Sequence, residues 1–360
     1  MPDYWGAGYP WLSIADMGQG LAITRTKEQI TSDGARGGRL VPGGTVLLSF
    51  KLSIGKVAIT TSPLYTNEAI AALPIRDPSQ LDPRYLMRAL EAMNLATGSN
   101  RAAMGATLNL PKLRSIEIPV PSKSEQGRIA SILDQADALR AKRRQVLAHL
   151  DALTQAIFHD MFGNPLGARG DTPRAKLGDL ARVATGGSPP RSNSAYFNGD
   201  VEWLKSDNLG GIIASKAEES LSLAGVKKSR VAPSGSVLVT CIAGSAASIG
   251  KCSLVDRNVA FNQQINAVMP SAMLDPVFLL AQLKTSPDLV RRKSAGGMKS
   301  LVNKSAFEEI EVLCPRIELQ REFARVFGLV QDRFRAGQTA AISLEALFAS
   351  LQSRAFRGEL

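Results

Sequence analysis

The chain contains itself twice, and that limits its fold more than any other feature. Trp11-Leu12 recurs as Trp203-Leu204, and Asp82-Pro83 as Asp275-Pro276, at offsets of 192 and 193. Pro42 ahead of Val46-Leu47-Leu48 matches Pro233 ahead of Val237-Leu238-Val239. Ser53-Ile54-Gly55-Lys56 matches Ser248-Ile249-Gly250-Lys251, and Asn67 and Ile70 match Asn262 and Ile265, all at 195. Pro121, Gln126 and Ile129 match Pro315, Gln320 and Phe323, and Phe162 matches Phe356, at 194. Seven blocks in one order with so small a drift mark a duplication.

Each copy has two parts. The first is a run of short Val/Ile/Leu/Thr-rich stretches broken by Gly, Pro, Asn and Asp, the pattern of a mostly β domain. One helix is expected after each Asp-Pro, over 85–93 and 277–284, because proline is tolerated in a first helical turn. The second part starts after Pro121 and Pro315 and reads as one long helix. Over 124–162 the apolar or seam positions fall at Ile129, Ile132, Ala136, Leu139, Arg143, Val146, Leu150, Leu153 and Ile157, steps of three and four over about four heptads. The second copy places Phe323, Val326, Val330, Phe334, Gly337, Ala341, Leu344, Leu347, Leu351 and Ala355 likewise. The expected fold is α+β: two β-rich domains joined by two long helices that form an antiparallel coiled coil. The divisions fall at 1–123, 124–164, 165–317 and 318–360.

The net charge of +11 calls for an anionic partner, and its distribution is informative. The segments 124–162 and 318–360 together carry only one of the eleven net positive charges, so ten lie in the β-rich parts. Such segregation fits a phosphate backbone read by two globular domains on neutral helices. Cys241, Cys252 and Cys314 form no CxxC pair, and His149 and His159 have no ligand cluster, which argues against disulfide and zinc frameworks. No apolar run reaches the ~18–20 residues that cross a bilayer, and no signal peptide opens the chain, so a cytoplasmic protein is expected.

Motifs that could carry chemistry fail on spacing. Around Gly250-Lys251 a phosphate loop would need glycine at Ser245 and a hydroxyl at Cys252. Asn164-Pro165-Leu166 lacks the second proline and the aromatic of a methyltransferase tetrapeptide. Glu202-Trp203-Leu204-Lys205 is one residue too long for a nuclease acid-x-Lys. Binding is what remains.

Several blocks resemble the DNA-specificity subunit of type I restriction–modification systems. They are the stretch from Lys176 through Gly186-Gly187-Ser188-Pro189-Pro190-Arg191, then Tyr196 through Trp203-Leu204-Lys205, and the Ile-Gly-Lys turn with Asn262-Gln263-Gln264-Ile265. The Pro-x-x-x-x-Gln entries and the ending Arg354-Ala355-Phe356-Arg357-Gly358-Glu359-Leu360 complete the set. The resemblance covers nearly the whole chain. It implies two target-recognition domains, each reading half of a bipartite site in double-stranded DNA, with the paired helices fixing the gap. It also implies two methyltransferase subunits as partners, possibly restriction subunits, and no membrane. The chain itself would be non-catalytic and hold no cofactor, with AdoMet, ATP and Mg on the partner subunits. A truncated or orphan subunit acting only as a DNA-binding scaffold is the alternative. The pattern departs at the start: Tyr4 already aligns with Tyr196, so 176–195 has no counterpart in the first copy. Either the true start lies upstream or the product is truncated.

Duplex recognition divides into phosphate contacts that position and base contacts that specify. Lys51, Lys56, Arg101, Arg191 and Lys205 are candidates for the former. So are Lys251, Arg291, Arg292, Lys293 and Lys299, although any one of them also reads as a solvated surface charge. Asp16, Asp207 and Asn208, close to Trp11 and Trp203, could hydrogen-bond base edges. The Gly-rich stretches 105–109 and 296–303 suit close approach to a backbone.

Overall fold

In the computed structural model the chain divides into two compact units, Met1–Arg144 with Thr339–Leu360, and Gln145–Gln338. The structure describes residues 2–360 apart from 52, 94, 96–99, 103–104, 109, 168–169 and 295–299. The architecture is α+β, with helices and sheets in both repeats.

The first repeat runs β1 (Trp5–Leu12), β2 (Ala22–Ile23), β3 (Glu28–Ile30), α1 (Ser32–Ala35), β4 (Val46–Ser49), β5 (Val57–Thr60), β6 (Tyr65–Thr66) and β7 (Ile70–Leu73). Then come α2 (Pro83–Ala92), β8 (Asn100–Ala102), β9 (Gly105–Thr107), α3 (Leu110–Arg114) and the 40-residue α4 (Lys123–Phe162). Two sheets form its body, in the orders β3-β1-β6 and β2-β5-β4-β7. The second repeat opens with β10 (Arg174–Lys176), α5 (Leu177–Leu180) and β11 (Val183–Thr185). It continues with β12 (Phe197–Leu204), β13 (Ser220–Leu221), α6 (Leu223–Val226), β14 (Arg230–Ala232), β15 (Val237–Thr240), β16 (Ile242–Ala243), β17 (Cys252–Leu254), β18 (Val259–Phe261) and β19 (Ile265–Val268). It ends with α7 (Pro276–Thr285), α8 (Asp288–Arg291), β20 (Ser300–Leu301), α9 (Lys304–Glu308), β21 (Glu311–Leu313) and the 39-residue α10 (Ile317–Ala355). Its sheets follow the orders β13-β12-β18-β14, β11-β19-β15-β17, β10-β21 and β16-β20. Even an irregularity is duplicated, since β1 slips register between Trp5 and Tyr9 and β12 between Phe197 and Val201.

The recurring sequence blocks are local anchors. Asp82 and Asp275 cap α2 and α7, each side chain accepting two backbone N–H bonds, with proline in the first turn. The glutamines of the Pro-x-x-x-x-Gln entries, both fully buried, tie each long helix to that cap. Gln126 Oε1 accepts from the Asp82 N–H at 2.8 Å, and its Nε2 donates to the Gln80 and Pro121 carbonyls. Gln320 does the same with Asp275, Met273 and Pro315.

In the first unit Tyr85, Ile129, Leu133 and Phe348 share one apolar cluster; in the second, Phe158, Phe162, Phe278 and Phe323 interlock within a larger one. Along α4 one of the two expected seam positions holds, with Ile129 buried and Ala136, Arg143, Leu150 and Ile157 half-buried, and the other is displaced by one residue. Leu139, Val146 and Leu153 are exposed, and Leu133, Arg140 and Leu147 face inward instead. Arg140 wins its position because its guanidinium lies 4.1 Å from the Phe348 ring and pairs with Asp137 and Glu345. In α10, Phe348 takes the inward place expected for Leu347.

Candidate nucleic-acid interface

The end of β12 gathers four of the expected residues. Trp203 and Leu204 are buried and anchor the strand, and Asn208 Oδ1 accepts from the Lys205 N–H at 2.9 Å, closing the turn that follows. Strand β13 runs antiparallel alongside, with the Trp203 N–H donating to the Glu219 carbonyl. The Glu219 carboxylate there pairs with Arg191 at 2.6 Å and with Lys205. Arg191 also lies 4.9 and 5.3 Å from the Phe197 and Trp203 rings. The Arg191 guanidinium and then the Lys205 ammonium hold the Glu219 carboxyl at about 2. Trp203, Lys205, Asp207, Asn208, Lys216 and Glu219 line a concavity of about 240 Å³ in which Asp207 is exposed.

A second group surrounds the Ile-Gly-Lys turn. Gly250 has φ +84° and its Cβ position would lie 3.1 Å from the Pro287 carbonyl oxygen; Gly55 repeats the conformation at φ +88°. Arg291 braces the turn, donating to the Ile249 and Ala247 carbonyls at 3.2 and 3.1 Å, and Lys251 projects from it exposed. Arg292 and Lys293, also exposed, share a concavity of about 370 Å³ with Arg174, Lys176 and Glu309. Lys299 lies outside the described residues, as do the Arg101 side chain, residues 296–299 and 109, and the side chains of 105–107.

The first repeat arranges its charges differently. Lys56 Nζ donates to the Ile14 carbonyl at 3.2 Å, and Lys51 sits 5.7 Å from the Phe50 ring. Asp16 is buried and accepts from the Ser13 N–H and hydroxyl at 3.1 and 2.8 Å, so it closes the turn that Asn208 closes in the second repeat. Arg25, Thr26 and Lys27 join Asp16 and Gln19 around a concavity of about 430 Å³.

Sequence reasoning missed Glu219, Arg25, Lys27 and the Glu202–Arg257 pair, whose bonds measure 2.9 and 2.8 Å. The one available signal was the acidic Glu218-Glu219 in an otherwise basic domain. His149 and His159 are exposed on α4. Cys241 and Cys252 are buried and unpaired to each other, and burial pushes their thiols up to about 12 and about 11. Among the described residues no helix is long and apolar enough to cross a membrane. The site thus offers exposed cations beside hydrogen-bonding amide and carboxylate groups, on loops braced from beneath.

The family model for the type I restriction modification DNA specificity domain matches residues 2–149 and 173–342, one match for each repeat. The chain is 25% identical over 229 residues to the type I restriction enzyme MjaIX specificity subunit of Methanocaldococcus jannaschii, covering 58% of this chain and 52% of that protein. It is 28% identical over 149 residues to the HindI specificity subunit of Haemophilus influenzae, covering 40% of this chain and 32% of that one. The chain thus spans about half, or less, of the curated relatives it matches. Among solved structures, the type I restriction–modification S subunit from M. genitalium shares the fold at TM-score 0.59 and 15% identity, covering 98% of this chain and 94% of that one. A chain from a study of complex assembly and conformational transition of the type I R-M system gives TM-score 0.63 at 16% identity, covering 98% and 92%. With both repeats matched over most of their length, this chain belongs to the family of type I restriction–modification DNA specificity proteins.

Proposed function

We propose that this chain reads a bipartite site in double-stranded DNA, one half per repeat, as the non-catalytic specificity subunit of a type I restriction–modification complex. The observation that carries this is the family match to both repeats, each of which presents cations on braced loops. Lys251, Arg292, Lys293, Lys51 and Arg191 are suited to phosphate, and Asp207 to a base edge. Asn208, Lys56 and Arg291 hold loops in place. Two methyltransferase subunits are the proposed partners, methylating adenine with AdoMet, and restriction subunits would add cleavage that needs ATP and Mg.

The two long helices are proposed to pair antiparallel as a coiled coil and so to fix the gap between half-sites. Support comes from each unit separately: Arg140 meets Glu345 in the first, and Leu147 packs at Gly337 in the second. The test is co-expression with a methyltransferase subunit from the same genome and mapping of methylated adenines. A split motif with a fixed gap is expected, and a contiguous motif would overturn the reading. Inserting a heptad into both helices should lengthen the gap and leave the half-site bases unchanged. A subunit that binds DNA and directs no methylation would favour the orphan-scaffold alternative.

A further inference from the structure

We propose, resting on the reading that each repeat contacts half of a DNA site, that the segments 24–27 and 215–218 choose a base for their own repeats. Arg25 selects guanine in one half, and Glu218 selects cytosine in the other.

The two segments occupy one place in the duplicated fold. β2 lies parallel to β5, with Ala22 opposite Ile59, and Ile213 bridges Leu254 in the same sense. Each segment then enters an antiparallel pairing. Glu28 stands opposite Trp11, and the Trp203 N–H donates to the Glu219 carbonyl. Arg25 therefore corresponds to Lys216 and Lys27 to Glu218, both at an offset of 191.

An amide side chain on the loop after β1 or β12 fastens each segment at the same point. Gln19 Nε2 donates to the Arg25 carbonyl at 2.9 Å, and Asn208 Nδ2 to the Lys216 carbonyl at 3.1 Å. A second bond joins the same loops, from the Thr24 N–H to Gln19 Oε1 at 3.2 Å and from the Ser215 N–H to the Asn208 carbonyl at 3.0 Å. The backbone is held, while the side chains beyond it serve no purpose in the fold. Arg25, Lys27, Lys216 and Glu218 are all exposed, and among the described residues no hydrogen bond or salt bridge occupies their side chains. Each pair lines the concavity of its own repeat. Polar groups on a fixed backbone, with no partner to give up, are what base readout needs.

Held alike, the two pairs differ in chemistry. A lysine common to both repeats, as in the Ile-Gly-Lys turns, offers both halves the same contact and suits phosphate. Arg25 and Lys27 only donate. In the major groove guanine alone presents two acceptors, O6 and N7, which a guanidinium meets with two bonds. The Glu218 carboxylate only accepts, so it calls for an amine. Adenine sets its N7 lone pair beside the N6 amine and repels a carboxylate there, whereas cytosine offers the N4 amine without an acceptor beside it. Lys216 can then donate to the guanine of the same pair.

The test uses the complex with a methyltransferase subunit from the same genome. Methylated adenines give the motif of the unchanged chain, and competition between duplexes altered at one pair each gives the discrimination at every position. Arg25→Ala should cut the advantage of guanine at one position of one half about tenfold, and Glu218→Ala that of cytosine in the other half by as much. Glu218→Gln turns an acceptor into an acceptor with a donor, so the preference at that second position should move from cytosine to adenine, which an amide meets at N6 and N7. A split motif with no such changes would overturn the proposal alone, as would both alanine variants acting on one half. Weakening that is uniform over all duplexes, with the salt slope reduced by about one, would make the side chain a phosphate contact and overturn its assignment. If the unchanged chain directs no split motif, the reading beneath fails and the proposal falls with it.

Discussion

The two repeats share the central strands of their sheets (β3-β1-β6 with β13-β12-β18, and β5-β4-β7 with β17-β15-β19), their capped helices and their glutamine clamps, and they differ in how each secures the helix after Asp-Pro. In the second, Gln282 of α7 bonds both backbone groups of Leu313, fastening the helix to a strand held in place by β10. In the first, the neighbouring position of α2 carries Arg88, whose side chain is 3% exposed. Arg88 reaches Asp134 at 2.8 Å, Glu91 at 2.8 Å and Asp137 at 3.5 Å, fastening α2 to the long helix. One domain is stitched through a sheet and the other through a charge cluster. Duplication preserved the framework, and the polar anchor followed whatever partner each copy had available.

Gln282→Leu tests the sheet anchor. It strands a buried N–H and a buried carbonyl, each costing about 1–3 kcal/mol, so the second repeat should lose about 4 kcal/mol. Arg88→Met in the first leaves three carboxylates without their common cation. These are a quarter to a third exposed, so water compensates in part and the expected loss is about 3 kcal/mol. Urea titration with exchange read on peptides from each repeat separates the two. Equal small losses in both would mean that neither anchor matters.

A smaller contrast separates the clamps. Gln320→Ala should cost about 3 kcal/mol and Gln126→Ala about 2. Both side chains are fully buried, but the bond from Gln320 to the Pro315 carbonyl is buried at both ends, whereas that from Gln126 to Pro121 is reached by solvent. A larger loss for Gln126→Ala would reverse that assignment.

Much of this framework was legible in the sequence because it is local. An Asp-Pro cap, a glycine in a left-handed turn and a glutamine five residues after a proline act within a few positions, and duplication announced them twice. The register of α4 was legible only at every second seam position. Leu139 and Arg140 compete for one inward place, and the winner is set by Phe348 and Glu345, some two hundred residues away. Ile116-Glu117-Ile118 has the alternation of a strand and is not one, since a strand needs a partner that alternation cannot supply. Glu219 escaped notice for a related reason. Its role exists only once β13 lies beside β12.

Glu219 sharpens the comparison at the candidate interface, because Ser13 in the first repeat stands where Lys205 stands in the second. The folded carboxyl titrates at about 2, below its ordinary value of 4.5. Its ion pairs therefore stabilise the second repeat fully above about pH 4.5. That contribution fades as pH falls from there through about 2. Glu219→Gln should flatten the acid limb of second-repeat stability in that window and leave the first repeat's unchanged. An unaltered limb would show that the cluster contributes nothing.

The last contrast concerns the lysines of the two Ile-Gly-Lys turns, which sequence makes equivalent and structure does not. Lys251 stands exposed on a turn braced by Arg291, while Lys56 already donates its ammonium to the Ile14 carbonyl. A cation that neutralises a phosphate releases a counterion, so its removal lowers the slope of log affinity against log salt by about one. Lys251→Ala should show that change at little cost in stability. Lys56→Ala should barely move the slope and should loosen the loop around Ile14. Binding of a DNA duplex carrying the mapped motif, measured across a salt series, distinguishes the two. Equal slopes would mean that Lys56 leaves Ile14 for the phosphate when DNA arrives, and the two repeats would then grip the backbone alike.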